Sequence, residues 1–187
     1  MMEVAVKQYP ISVQMYHFMA EHGSFAPDER VELFEGEIIE MSPIGKRHSR
    51  VVDFLTRFFV LFGKDSFIVR VQNPIILNDL SEPQPDISVV RFREDFYKDE
   101  LPKAADVLLI IEVSDVSVAF DRSRKFPKYG AAGIPEAWLI DLEAERVEVH
   151  SVAKETTYGL VKIYSRGETV VSETIPGLEL SVDSIFG

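Results

Sequence analysis

Asp86, Glu112 and Lys125 are the residues of this chain whose types and settings suit hydrolytic chemistry. Asp86 ends the stiff segment Glu82-Pro83-Gln84-Pro85-Asp86 and leads into the strand-like Ile87-Ser88-Val89-Val90. Glu112 follows Val107-Leu108-Leu109-Ile110-Ile111, a run too continuously aliphatic to alternate and expected to be buried on both faces of a sheet. A carboxylate at the mouth of such a strand is rarely buried without a partner. Asp121, Lys125 and Tyr129 come next at four-residue spacing and share one helix face. If the strands that Asp86 opens and Glu112 closes lie antiparallel side by side, both acids emerge at one sheet edge. Close carboxylates repel unless a cation sits between them. Hard oxygen ligands suit Mg2+ or Mn2+, which keep several waters and accept phosphate oxygens as further ligands. A lysine beside such an ion can orient or deprotonate a water, or stabilise developing charge. Taken singly, each residue reads as an ion-paired acid or a solvent-facing lysine. Placed on successive core elements, the three together favour a site. Lys125 is expected to be solvent-lined, so its replacement by alanine should change stability by no more than about 0.5 kcal/mol.

The elements that must position these residues are legible along the chain. Ser12 is expected to cap a short helix running to about Glu21 and ended by His22-Gly23. Val31 to Met41 has the pattern of a hairpin turning at Glu35-Gly36, with Glu32 and Glu37 either lining a cleft or meeting water. His48 to Phe62 carries Val51, Phe54, Leu55, Phe58, Phe59 and Phe62 at helical spacing, a core-facing stripe. Phe67 to Gln72 reads as a strand continuing past Asn73-Pro74 into Ile75-Ile76-Leu77, and Ile87 to Arg91 as the next. The central strand and a helix from about Asp121 follow, with Gly130 and Gly133 weakening and ending that helix. Glu136 to Asp141 is a strand with a packed Trp138, and beyond Glu145 come short strands at about Arg146–Val152, Thr157–Ser165, Glu168–Ser172 and Leu178–Ser181. The fold class expected is α+β with an α/β core: helix, three strands, helix, strand around a mixed sheet, with flanking hairpins. One domain over 1–187 is expected, its core at about 31–149 and a strand-rich extension at about 145–187.

Composition narrows the function classes. With 46% apolar and 27% charged residues the chain is an ordinary globular sequence, and no run approaches the ~18 apolar residues of a membrane span. The N-terminus lacks the basic and apolar regions of a signal peptide, so a cytoplasmic address is expected. Having no cysteine excludes disulfides and thiolate metal sites. No phosphate-binding loop, dinucleotide fingerprint or Gly-x-Ser-x-Gly elbow is present, and the four histidines are not at zinc-ligand spacing. The net charge of −11 argues against adhesion to nucleic acid over the whole surface. Charge is uneven, however: Pro43 to Gln72 holds six basic residues against two acids, and Asp141 to Gly187 nine acids against four basic residues.

The ordered set Glu32-Leu-Phe-Glu-Gly-Glu-Ile, His48 opening a helix, Gln84-Pro-Asp-Ile-Ser-Val-Val, Ile111-Glu-Val-Ser, Asp121/Lys125/Tyr129 and Gly133-Ile-Pro-Glu-Ala-Trp-Leu-Ile-Asp resembles the PD-(D/E)XK nuclease superfamily. More closely, it resembles the bacterial Uma-two family of restriction-endonuclease-like proteins, over roughly Val31 to Val149. The resemblance implies a restriction-endonuclease-like fold, Asp86 and Glu112 as ligands of Mg2+ or Mn2+, Lys125 as catalytic lysine, and Glu32 and His48 lining the site. It implies cleavage of phosphodiester bonds in nucleic acid, DNA above all, and a homodimer that pairs two active sites. One departure stands out: the superfamily's usual lysine lies two residues after the second acid, where this chain has Ser114. Lys125, presented from the following helix, is the candidate for its role. An alternative from another class is a catalytically silent nuclease-fold module used for binding or assembly, favoured by the acidic net charge and the lack of a separate DNA-binding domain.

Overall fold

The computed structural model describes residues 9–187; the 1–8 segment, inspected above for targeting signals, lies outside the described residues. Helix α1 (Val13–Glu21) starts where Ser12 accepts a hydrogen bond from the Met15 amide. Strands β1 (Val31–Phe34) and β2 (Glu37–Glu40) form the expected hairpin. Its two loop residues, Glu35 and Gly36, have φ of 53° and 79°, the mirror-image turn whose twist matches paired strands. Gly36 also lies where a Cβ would come within 2.6 Å of Pro10, so the turn is closed to larger residues.

Helix α2 (Lys46–Gly63) leads into β3 (Phe67–Val71), β4 (Ile87–Arg91) and β5 (Val107–Ser114). A continuous right-handed helical stretch follows, made of α3 (Val118–Phe120), a π-helical turn (Asp121–Lys125) and α4 (Phe126–Ala131). It delivers the chain to β6 (Glu136–Asp141), completing the expected helix–three strands–helix–strand core. β7 (Arg146–Ala153) and β8 (Tyr158–Tyr164) extend the same sheet, whose order is β3-β4-β5-β6-β7-β8. Only β5 and β6 are parallel, as the helical crossover between them requires. β9 (Thr169–Val171) and β10 (Glu179–Ser181) pair separately, and a short α5 (Val182–Phe186) closes the chain.

β5 lies inside the sheet and both its faces are covered. Leu109, Ile111 and Val113 pack with Leu55 and Phe59 of α2, Trp138 and Val149. Ile110 packs on the other side with Phe126, Tyr129 and Leu139. This is why the strand could be aliphatic throughout.

Several local expectations are corrected. Ile75-Ile76-Leu77 does not continue β3; Ile76 makes one isolated bridge to Lys103 instead. On α2 the buried stripe takes in Val52, whereas Phe62 is exposed. The helix after β5 begins at Val118, before Asp121. Gly130 lies inside α4 and does not end it; a Cβ there would meet the Thr157 backbone at 2.5 Å, so close packing requires glycine. The basic stretch does not stay free: Arg47 donates to the Leu142 carbonyl and Arg50 to the Ile185 carbonyl, so part of it is spent on the acidic C-terminal region. Among the described residues no helix is long and apolar enough to cross a membrane.

Candidate active site

The antiparallel register pairs Ile87 with Ile111, so Asp86 and Glu112 come opposite each other one step further along β4 and β5. Glu112 meets Tyr129 of α4 and Asp86 meets His48 of α2, and the two acids share the lining of one cavity of about 480 Å³ with Glu32, His48 and Lys125. All five sequence-selected residues therefore meet in one place. Four of them are deeply set, with relative exposures of 2% for Glu32, 4% for Glu112, 6% for Lys125 and 9% for Asp86.

Asp86 is fixed from three directions. Its Oδ2 accepts the Val113 amide at 2.9 Å, and its Oδ1 lies 3.2 Å from Gln72 Nε2 and 3.0 Å from His48 Nε2. His48 reaches it from the first turn of α2, where its Nδ1 is buried without a hydrogen-bond partner. Glu112 accepts the Tyr129 hydroxyl at 2.5 Å and lies 3.3 Å from Lys125 Nζ, both on Oε1. Its Oε2 has no hydrogen-bond donor among the described residues.

Lys125 Nζ lies 2.9 Å from Glu32 Oε1, brought in by β1. Glu32 in turn accepts the Gln84 amide at 3.0 Å, while the Gln84 side chain donates to the Val31 carbonyl. The hairpin is thus stitched to the segment before Asp86. Arg124 and Lys128 both bind Glu35 at its tip, holding the same hairpin to the helix.

Lys125 is not solvent-lined as the sequence suggested. It is sealed between carboxylates because the hairpin covers the helix face that a sequence reading leaves open. Burial alone would lower its pKa, but Glu112, Glu32 and Asp121 outweigh that and hold the ammonium above the ordinary lysine value. Burial dominates at Glu112, where the nearby Asp121, Asp86 and Glu32 add to it and Lys125 only partly offsets it; the carboxyl is pushed up to about 8. The Tyr129 phenol is raised well above its usual value by burial and by Glu112, so it stays a neutral donor.

Asp121 and Tyr129 belong to the site although neither was assigned a role. Asp121 Oδ2 accepts hydrogen bonds from Ser114 at 2.6 Å and Ser117 at 2.7 Å. Their spacing from Lys125 was the available signal. The π-helical turn between Asp121 and Lys125 had none: its wider backbone bond runs from the Phe126 amide to the Asp121 carbonyl.

Among the described residues no group of three or more His, Asp or Glu side chains is arranged as a ready metal cage. The donor set nonetheless fits Mg2+ or Mn2+, ions that commonly take one or two protein carboxylates and complete their shell with water and phosphate. Two carboxylates on adjacent strands, one with an oxygen free of donors, meet that requirement.

A family model described as "Putative restriction endonuclease" matches residues 13–183. Among solved structures, a protein from Anabaena variabilis described as a putative nuclease of DUF820 has the same fold, with a TM-score of 0.75 over 95% of this chain and 98% of that one, at 17% identity. No curated protein matches the chain. With nearly its full length matched by the family model, the chain belongs to the Uma-two family, the one described as "Putative restriction endonuclease".

Proposed function

We propose that this protein is a metal-dependent nuclease that hydrolyses phosphodiester bonds in DNA. The observation that carries this reading is the convergence of Asp86, Glu112 and Lys125, from two strands and a helix, on one deep cavity. Asp86 and Glu112 would hold a Mg2+ or Mn2+ ion. Such an ion supplies a polarised phosphate and a water acidic enough to attack near neutral pH.

The chain's own groups divide the remaining work. Tyr129 orients Glu112, and the Val113 amide and His48 orient Asp86. Glu32 positions the Lys125 ammonium. With its pKa raised, Lys125 keeps its proton and serves as a fixed positive charge beside the phosphate, not as a base. Glu112 must lose a proton before it can ligate, so loading the ion releases a proton at neutral pH.

Incubating single- and double-stranded DNA and RNA with the protein and Mn2+ or Mg2+, with Asp86→Ala as control, tests the reading. Metal-dependent products from wild type alone are expected. No cleavage of any substrate by wild type would overturn it. One observation favours a silent module: Lys125 already offsets the charge of Glu32 without any ion. The same assay decides between the two.

A further inference from the structure

From the shape and charge of the cavity we infer that its substrate is single-stranded DNA, or a strand end freed from a duplex, and not intact duplex; this rests on the nuclease reading above. The site carboxylates lie on a floor nearly closed to solvent, so a scissile phosphate must enter the cavity to reach them. The cavity's volume of about 480 Å³ is that of a small-molecule pocket, with room for a nucleotide or two and none for a double helix.

Charge points the same way. The lining holds Glu32, Glu40, Asp86, Glu112, Asp115 and Asp121 against only Arg30 and Lys125, and Lys125 is bound to two of those acids. A bound divalent ion would offset the floor. It would not offset Glu40 and Asp115, which are exposed on the lips of the cavity, one on β2 and one just beyond β5. Duplex DNA presents a dense double row of phosphates and is held by many basic contacts. These lips would repel the second strand.

What the lips do offer is apolar surface: Ile39, Met41 and Ile44 from β2 and the segment after it, Val116 and Phe120 from the segment after β5 and from α3. Ile44 and Val116 are both exposed. Unpaired bases present faces for such contacts, and paired, stacked bases do not. A strand entering alone places few phosphates near the acids and its bases against the lips.

The test uses the full chain and one fluorescent oligonucleotide sequence in three forms: single strand, blunt duplex, and duplex with an unpaired tail. Binding is measured by anisotropy in Ca2+, and cleavage in Mn2+. The single strand and the tailed duplex should bind at least about tenfold more tightly than the blunt duplex, and cuts should fall in unpaired DNA. Replacing Ile44 and Val116 together by serine should weaken single-strand binding at least about threefold while leaving the circular dichroism spectrum unchanged. Duplex cut as well as single strand would overturn the inference and leave the nuclease reading standing, whereas duplex bound as well as single strand with nothing cut would overturn both. Single-strand preference in binding without cleavage would keep single-stranded DNA as the ligand of the cavity and overturn the nuclease reading. Absence of binding to every form would overturn both.

Discussion

Ser114 Oγ donates a hydrogen bond of 2.6 Å to Asp121 Oδ2, joining the end of β5 to the π-helical turn that carries Lys125. Ser114 occupies the position, two residues after Glu112, where the sequence resemblance leads one to expect a lysine. Here that position anchors the helix that presents the lysine instead. Ser114→Ala should therefore lower stability by about 1.5 kcal/mol, the low end for a bond to a charged acceptor, since Ser117 still serves Asp121. Chemical denaturation measures this, and a midpoint equal to wild type would contradict it.

Lys125→Ala should abolish metal-dependent cleavage and also destabilise the fold by about 3–5 kcal/mol, because Glu32 would be left buried without its countercharge. The control is Lys128→Ala, whose partner Glu35 is accessible to solvent and whose loss should cost under about 1 kcal/mol. Thermal melts and cleavage rates on the same samples separate the two effects. Adding Glu32→Gln to Lys125→Ala should recover part of the lost stability without recovering activity.

Calorimetric titration with Mn2+ should give heat with wild type and little with Asp86→Asn or Glu112→Gln. Affinity should rise by up to about tenfold per pH unit as pH climbs toward 8, where the Glu112 carboxyl gives up its proton, and level off above. A flat profile between pH 6 and 8 would show that Glu112 is not a ligand.

His150 supplies a pH dependence away from the site. It is buried against Phe126 and Tyr158, with Glu148 at 3.5 Å and the Arg122 charge nearby. Burial lowers its pKa, and Glu148 only partly offsets this. A group with a depressed folded pKa contributes stability above its unfolded value of about 6.5 and loses it as pH falls. Between pH 7 and 5 the melting temperature of His150→Leu should fall less than that of wild type.

Much of this protein was determined by sequence alone. The aliphatic run before Glu112 required a strand covered on both faces, and the period of α2 required a helix against it, so the core order was legible from burial alone. Asp86 and Glu112 come to neighbouring strand ends only if their strands pair antiparallel, a condition the sequence reading supposed and the fold meets. The environment of Lys125 was not legible. Its burial depends on the hairpin bringing Glu32 from 93 residues upstream, a contact set by tertiary packing and by the Glu35 bonds to Arg124 and Lys128. Nor did local sequence encode the π-helical turn, since helix period is read at a fixed angle per residue and an added residue in one turn leaves composition unchanged. Periodicity reports which residues are apolar together. Only the fold decides which charges meet.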